Sequence, residues 1–345
     1  MSAGGNRHAA HFGTREAVIK RRALLALLAA LVIVAFLAAT AGTTAVPSDV
    51  WGALFAFDGS REHLVITHLR LPRVLAGMLT GAALAVAGAI MQAATNNPLA
   101  APDLLGVNAG AAFGVVSATT LLGVTSDIAL VGYALGGTGM ATLVVFLLGV
   151  AGPSGATPVR LVLAGAVLTA FLSSLTTAML IFDQSTLDQI RLWLAGSLYG
   201  LHARQVAAIA PFILAALAVA LLLRAQFTTL SLGGDVAQSL GQRPLLWRGI
   251  SVALVMVLAG SAIALAGPIA FVGLVVPHVI RFIVGTDYRW ILPFSALGGA
   301  LLLLLADTCA RLLFGSQGFP VGAATALIGA PFFVWLARNR AGCPA

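Results

Sequence analysis

Long runs of apolar residues recur along the whole chain, and they constrain its fold more than any other feature. The stretch from Leu69 to Gly114 shows the pattern, with one apolar segment, a polar turn at 96–98 and the start of a second apolar segment. Small residues recur along the first segment at helical spacing: Gly77, Gly81, Ala85 and Gly88. Because small residues at this spacing let membrane helices approach closely, the stretch predicts two membrane helices joined by a tight turn.

The composition extends this interpretation to the whole chain. Of 345 residues, 60% are hydrophobic and only 9% are charged, whereas a soluble domain carries about 25% charged residues. We therefore predict an all-α membrane protein with about ten transmembrane helices. The predicted spans are 23–46, 66–94, 101–122, 128–150, 158–182, 206–223, 249–267, 269–285, 291–313 and 320–337.

The remaining segments are expected outside the membrane, around a single transmembrane domain of residues 23–338. Residues 1–22 and 339–345 are predicted to be cytoplasmic tails, and a cytoplasmic turn is predicted at 152–155. Residues 183–205 have a polar first half followed by aromatic residues, which predicts an interfacial segment on the outer side. Residues 225–247 form the longest polar insert between spans.

The basic residues give the orientation. An even number of spans puts both termini on one side, and this side then holds 13 of the 19 basic residues. The outer side holds the other six: Arg61, Arg70, Arg73, Arg191, Arg204 and Arg311. The bias places both termini in the cytoplasm. The net charge of +8 therefore reflects membrane topology and predicts no nucleic-acid partner.

Two short stretches hint at an internal repeat. Ala83–Ile90 reads ALAVAGAI and Ala262–Ile269 reads AIALAGPI, in the second and seventh spans, which run in opposite directions. An inverted repeat of this kind places a transport pathway at the repeat interface. Chance similarity in an Ala-rich chain is the alternative.

The sequence offers little for covalent catalysis. It has no GxxxxGK[ST] phosphate loop, and its only lysine is Lys20, so hydrolysis of ATP by that loop is excluded. No HExxH, CxxC or GxSxG motif occurs either, and the two cysteines, Cys309 and Cys343, lack metal-site spacing. We predict neither a catalytic residue nor a metal or cofactor site.

Ionisable residues inside spans are costly, and each therefore invites a functional interpretation. Asp307 and Arg311 stand four residues apart and are predicted to pair on one helix face. Arg70 and Arg73 enter the membrane on the same outer side, so the three arginines are candidates for binding acidic side chains or an anionic ligand. Lipid phosphates and a structural ion pair are the alternatives. His278, beside Pro277, is interpreted as a structural residue of the bundle.

The polar insert is predicted to form two short helices, interrupted at Gly233-Gly234 and again at Gly241. Asp235 is expected at the N-cap or in the first turn of the second helix. A compact lump of this kind suits docking of a soluble partner, and an ordinary loop packed on its own bundle is the alternative.

Several long motifs, in order, resemble the iron-siderophore, haem and cobalamin permeases of type II ABC importers, often called the FecCD family. They are RLPRVLAG, GAALAVAGAIMQ, NNPLAAPDLLGVNAGAAFG, LWLAGSL, LGGDVAQSLG, GPIAFVGLVVPHVIRFIVG, LLLLADTCARLL and GFPVGAATALIGAPFFVWL. The resemblance covers about residues 60–340. It implies two permease subunits around a central path, two cytoplasmic ATPases that hold ATP and Mg, and a periplasmic or lipid-anchored binding protein.

The resemblance also implies roles for individual residues. Asn97, Pro98 and Leu99 match a cytoplasmic gate. The ATPase-coupling helices match Gly233, Gly234, Asp235, Ser239, Leu240 and Gly241. The arginines that dock the binding protein match Arg70, Arg73 and Arg311, and residues 183–200 match a short helix at the outer mouth.

We therefore expect the permease subunit of an ATP-driven importer in a bacterial cytoplasmic (inner) membrane. PDLLGVN and LWLAGSLYG resemble ferric-citrate and catecholate-siderophore members, so a ferric siderophore or ferric citrate is the expected cargo, with haem next. The alternatives are a cobalamin importer permease and, from another class, a secondary transporter driven by an ion gradient.

Overall fold

A computed structural model describes residues 5–40, 47–151, 158–315 and 319–340, and within these ranges the chain is helical and contains no strand. The predicted turn at 152–155 lies outside the described residues. The α-helices are α1 (Gly5–Thr40), α2 (Pro47–Phe55), α3 (Arg61–Val65), α4 (Leu71–Thr95), α5 (Val107–Leu122), α6 (Asp127–Val150), α7 (Pro158–Phe182), α8 (Gln184–Leu194), α9 (Ala203–Leu222), α10 (Arg224–Leu230), α11 (Gly234–Ser239), α12 (Pro244–Ala266), α13 (Val272–Val284), α14 (Tyr288–Phe314) and α15 (Val321–Arg340). A π-helical turn, Ile66–Arg70, joins α3 to α4, and a 3₁₀ turn, Pro102–Leu105, precedes α5.

The number of membrane-spanning helices agrees with the sequence. Seven helical stretches among the described residues are long and apolar enough to cross a membrane, and α5, α13 and α15 contribute shorter apolar helices. The prediction of an all-α protein with about ten membrane helices is confirmed. Helix α1 begins at Gly5, ahead of its apolar stretch Val18–Thr40, so the segment expected as the N-terminal tail is helical from Gly5 onward.

Hydrogen bonds between loops define two ends of the helical bundle. At one, which we call the hinge end, the α4–α5 connection meets α10, and α10 meets the start of α14. At the other, the arginine end, Arg70, Arg73 and Arg311 lie close to the end of α1. Helix α1 runs toward the arginine end and α15 runs away from it, so both described termini lie at the hinge end.

Helix α4 is the centre of the fold, and nearly all of its residues are buried. Two glycines allow this burial. A Cβ atom added at Gly81 would overlap the backbone of Gly299 in α14, and one added at Gly88 would overlap the carbonyl oxygen of Gly273 in α13. The glycines therefore permit backbone-to-backbone packing, which van der Waals contacts stabilise in a membrane.

The packing of α4 and α12 agrees with the repeat suggested by the sequence. The two helices contact each other and run in opposite directions, and each also packs against helices of the other half of the chain. Helix α4 packs on α13 and α14 of the second half, whereas α12 packs on α5 and α6 of the first half. The boundaries are not symmetric, because α4 continues to Thr95 while α12 ends at Ala266, before Gly267 with a φ of 74°.

Candidate functional site

The turn after α4 is held by its own asparagines. Asn96 ends the helix in a left-handed conformation, with a φ of 51°, which asparagine tolerates better than most residues. The side chain of Asn97 accepts a hydrogen bond of 2.9 Å from the backbone N–H of Leu99, and Pro98 cannot continue a helix. The predicted gate residues therefore form a compact, hydrogen-bonded turn in which Leu99 is 38% exposed.

This turn is hydrogen-bonded to the polar insert. The Asn96 Nδ2 group donates to the carbonyl oxygen of Leu230 at 3.2 Å, although the two residues are 134 positions apart. Leu230 is the last residue of α10, and it is buried together with Phe227. The residue directly before the candidate gate therefore contacts the first helix of the polar insert, the segment that carries the candidate coupling residues.

Helix α10 is also tied to α14. The Thr228 Oγ1 group donates to the Asp287 carboxylate at 3.2 Å and accepts from the backbone N–H of Tyr288 at 3.1 Å. Asp287 caps the N-terminus of α14. A displacement of α10 would consequently act through these hydrogen bonds on both α4 and α14, the two helices that pack most extensively on each other.

The prediction of two short helices in the insert is confirmed by α10 and α11. Gly233 and Gly241 have φ angles of 103° and 82°, which explains glycine at both breaks. The N-cap of α11 is Gly233, so Asp235 lies in the first turn and is not itself the cap. Asp235, Ser239 and Leu240 are exposed.

An exposed apolar row on this insert was not predicted from the sequence. Leu232, Val236 and Leu240 are 56%, 46% and 63% exposed, and they lie in the turn before α11, within α11 and at its C-cap. Their recurrence at every fourth position was the signal in the sequence that could have identified them. We refer to these three residues as the apolar row.

At the arginine end, the Asp307 carboxylate forms ion pairs with two arginines. Its carboxylate accepts three hydrogen bonds from Nε and Nη2 of Arg73, at 2.7 to 3.1 Å, and lies 3.1 Å from Nε of Arg311. The Asp307 side chain is 2% exposed, and those of Arg73 and Arg311 are 13% and 11% exposed. The predicted pairing of Asp307 with Arg311 is confirmed, and Arg73, from a distant helix, joins it.

Arg70 and Arg311 cap the end of α1. Arg70 Nη1 donates to the carbonyl oxygens of Ala39 and Thr40 at 3.0 and 3.1 Å, and Arg311 Nη2 donates to that of Ala38 at 3.1 Å. The carbonyl of Leu37 accepts from the Thr40 hydroxyl. The last four carbonyls of a helix lack partners within it. Here all four accept a hydrogen bond. Inside a membrane such bonds are needed, because no water is present to satisfy unpaired carbonyl groups.

The predicted outer segment contains α8 and the loop that follows it. Asp183 caps α8 by accepting from the backbone N–H of Thr186 and from the hydroxyls of Ser185 and Thr186. These hydrogen bonds stabilise the carboxylate and lower the pKa of Asp183 to about 2. After α8, the N–H of Ser197 donates to Ala266 at 2.8 Å, so this loop covers the end of α12.

An open cavity of about 280 Å³ lies beside this loop, between α5, α6, α8 and α12. Polar and aromatic side chains occur among its lining: Asp127, Gln189, Trp193, Tyr199 and Gln205. It is formed within one chain, beside the loop that covers the end of α12.

Helix α7 presents hydroxyl groups on its uncovered face. Ser173, Ser174 and Thr177 are exposed in the middle of this long helix. The Ser174 and Thr177 hydroxyls donate to backbone carbonyls of α7 itself, at 2.8 Å. Such a face is compatible with water as well as with lipid, and it was not singled out from the sequence.

The described residues contain no group of three or more His, Cys, Asp or Glu side chains arranged to hold a metal ion. His278 is buried in α13, and its ring lies edge-on to that of Phe282, with centroids 5.1 Å apart. This position agrees with its interpretation as a structural residue.

Comparisons with known proteins match almost the whole chain. A model of the FecCD transport family matches residues 27–339. The chain is 44% identical over 293 residues to the Probable siderophore transport system permease protein YfiZ of Bacillus subtilis, covering 85% of this chain and 88% of the relative. It is also 44% identical over 286 residues to the Fe(3+)-citrate import system permease protein YfmD of the same organism, covering 83% and 85%.

The fold has a counterpart among solved structures. An inward-facing structure of a metal-chelate type ABC transporter superimposes with a TM-score of 0.82 at 28% sequence identity. The match covers 92% of this chain and 99% of the solved chain.

Proposed function

Because this chain belongs to the FecCD transport family, we propose that it is the permease subunit of an ATP-driven importer that carries a ferric complex across the membrane. The observation that carries the mechanism is the hydrogen bond from Asn96 to Leu230, which links the residue directly before the candidate gate to the insert that carries the candidate coupling residues. Siderophore and ferric-citrate permeases are among its relatives, and we take these two chemical classes as the cargo.

The translocation path is formed by two permease subunits. An uncovered helix such as α7 faces either lipid or a second subunit, and its hydroxyl groups at 173, 174 and 177 suit a hydrated path. Large ferric complexes present many polar atoms. A wall of small hydroxyl and apolar side chains would let such cargo pass without binding it tightly.

The hinge end faces the cytoplasm and receives the ATPases. Arginines described at this end include 21, 22, 160, 224, 243, 248, 281, 289 and 338, and they are balanced by few acids, which agrees with the positive-inside rule. The apolar row supplies the contact surface for an ATPase. Its three side chains are 46–63% exposed, so a partner that covers them would bury apolar surface. ATP and Mg are held by the partner ATPases, and this chain performs no covalent chemistry.

Gate movement follows from the contacts of α10. When the ATPases close, they displace α10 and α11 relative to the bundle, and the Asn96–Leu230 hydrogen bond transmits that displacement to the turn at 97–99. The bonds from Thr228 to the start of α14 transmit it to a second helix. Coordinated movement of α4 and α14 then switches access between the two sides.

At the arginine end, a periplasmic or lipid-anchored binding protein docks through acidic side chains. The cluster of Arg70, Arg73 and Arg311 carries one acid, Asp307, and therefore retains positive charge toward the outer side. Long-range attraction to an acidic partner speeds docking and depends on salt.

The proposal is tested by co-expressing the chain with candidate ATPase and binding-protein subunits and measuring ATP hydrolysis by the purified complex. Binding protein loaded in turn with ferric citrate, a ferric catecholate, haem or cobalamin is added. Stimulation selective for ferric citrate or for the ferric catecholate is the expected result. Stimulation by haem alone or by cobalamin alone would contradict the proposed cargo, and failure to form a complex with any ATPase would contradict the importer.

A further inference from the structure

We propose that the cavity between α5, α6, α8 and α12 binds an organic ammonium group, with the Asp127 carboxylate as its counter-ion and the Trp193 ring as an aromatic wall. The cavity is formed within one chain. It shares no residue with the hinge turn, the polar insert or the arginine cluster, and the inference does not depend on the transport role proposed above.

The cavity is large enough for a small organic molecule. Its volume is about 280 Å³, whereas an apolar cavity of about 150 Å³ already admits benzene. Pockets for drug-sized ligands begin at about 300 Å³. The cavity therefore suits a small compound, or one arm of a larger compound.

The loop after α8 forms one wall of the cavity, and hydrogen bonds fix it in place. The Ser197 N–H donates to the carbonyl of Ala266 at 2.8 Å. The Gly196 carbonyl accepts from the N–H of Gly322 at 2.9 Å. The Ser197 hydroxyl accepts from the N–H of Tyr199 at 3.1 Å. This wall is formed before a ligand arrives, which reduces the entropic cost of binding.

The charge of the lining selects a cation. Asp127 is the only acid among the described residues that line the cavity, and no arginine, lysine or histidine joins it there. It stands in the first turn of α6, where the helix dipole favours a negative charge. No described residue forms a hydrogen bond or an ion pair with its carboxylate. A cation supplies the partner that this carboxylate lacks, whereas an anion such as ferric citrate would be repelled.

The basic residues nearest in the sequence leave this balance intact. Arg191 belongs to α8, but its side chain is 69% exposed and lies 3.9 Å from the carboxylate of Asp188. His202 and Arg204 are exposed at the start of α9. None of the three lines the cavity, so no described base competes with a ligand for Asp127.

An organic cation fits the lining better than a metal ion does. A calcium ion takes about six to eight oxygen ligands, and the described residues contain no group of three or more His, Cys, Asp or Glu side chains that could hold a metal. Trp193 and Tyr199 line the cavity, and aromatic faces attract ammonium groups, quaternary ones included. Apolar side chains such as Val131 and Leu265 complete the lining and suit the methyl groups of such a ligand.

Choline and its uncharged isostere, the alcohol in which a carbon atom replaces the quaternary nitrogen, test the selection by charge. Binding of each compound to the purified permease in a maltoside detergent is measured by saturation-transfer NMR titration. We expect choline to bind about fivefold or more tightly than the isostere, because only choline gains the carboxylate and the aromatic face. Equal affinities, or no binding of choline, would overturn the proposal.

A matched pair of variants locates the binding. Asp127→Asn removes the counter-ion and should weaken choline binding about fivefold. Glu62→Gln is the control, because Glu62 is also an acid in the first turn of a helix, α3, but does not line the cavity. It should change the affinity less than about twofold. Equal effects of the two substitutions would overturn the assignment to Asp127.

Two further variants guard against misfolding and test the aromatic wall. Asp127→Glu keeps the charge and should bind choline within about threefold of the parent. Trp193→Leu keeps an apolar side chain and should weaken choline about threefold while leaving the isostere within about twofold. A loss of choline binding in Asp127→Glu as large as in Asp127→Asn, at an unchanged melting temperature, would contradict the role of the charge.

The ammonium group has two sources, a free ammonium compound or the charged arm of a siderophore, and a second pair of ligands separates them. A linear ferric trihydroxamate with a free terminal ammonium group is compared with the same complex after N-acetylation, on the parent and on Asp127→Asn. A preference for the ammonium form that disappears in Asp127→Asn would identify the arm of a cargo. Equal binding of the two complexes, beside Asp127-dependent binding of choline, would identify a free ammonium compound. Neither measurement needs an ATPase or transport, so a failure of the importer proposal leaves this test intact.

Discussion

The apolar row gives the sharpest quantitative prediction about the coupling helices. Leu240 is 63% exposed in the isolated chain. Full burial of a leucine side chain contributes about 1.5–3 kcal/mol, so covering the exposed part of Leu240 with an ATPase subunit would contribute about 1–2 kcal/mol. Leu240→Ser should therefore weaken association of the ATPase by about five- to thirtyfold.

The assay is titration of purified ATPase into detergent-solubilised permease, with the dissociation constant measured for each variant. Gln238→Ala provides the matched control, because Gln238 is exposed on the same short helix but lies off the apolar row. We expect the control to bind within about twofold of the parent. Equal affinities for Leu240→Ser and the parent would refute the reasoning, and equal losses in both variants would show that α11 is perturbed nonspecifically.

Three further predictions concern the core, the gate and the outer helix. Gly88→Ala places a Cβ atom against the carbonyl oxygen of Gly273 and should destabilise the permease by about 1–3 kcal/mol in a denaturation experiment. Gly132→Ala is the control: its Cβ would lie in open space, and it should change stability by less than about 0.5 kcal/mol. Equal effects of the two substitutions would contradict the packing argument. Asn96→Gly keeps the left-handed conformation but removes the hydrogen bond to Leu230, so cargo transported per ATP hydrolysed should fall while assembly is retained, and an unchanged ratio would contradict the proposed coupling. The pKa of Asp183 is lowered to about 2, so its cap stabilises α8 at any pH above the ordinary carboxyl pKa and is lost as the pH falls from there toward 2. Over this pH interval, hydrogen exchange of residues 184–194 should become faster in the parent and should show no such step in Asp183→Ala. The same step in both proteins would contradict the assignment.

The elements predicted from the sequence are those that local patterns determine. Apolar runs identify membrane helices because a spanning segment must be about 20 residues long and satisfy its own backbone. The breaks at Gly233 and Gly241 were predicted from residue type, and their positive φ angles show why glycine is needed there. The Asp307–Arg311 pair was predicted because residues four apart share a helix face.

The contacts that were missed join distant parts of the chain. Arg73 and Asp307 are 234 positions apart, and Asn96 and Leu230 are 134 apart, so no local periodicity connects them. Both contacts depend on how α4 packs against other helices, which glycines such as Gly88 determine at the backbone level. The arginines were predicted as a docking cluster from their side of the membrane. Their bonds to α1 and Asp307 follow from packing.

The measurement that tests the central claim most directly is uptake of radiolabelled ferric iron into proteoliposomes. The vesicles contain the permease with its ATPase and receive a ferric siderophore or ferric citrate from the binding protein. We predict uptake that requires ATP, stops with vanadate and persists when ionophores collapse ion gradients. Uptake that proceeds without an ATPase subunit and is abolished by ionophores would contradict the account.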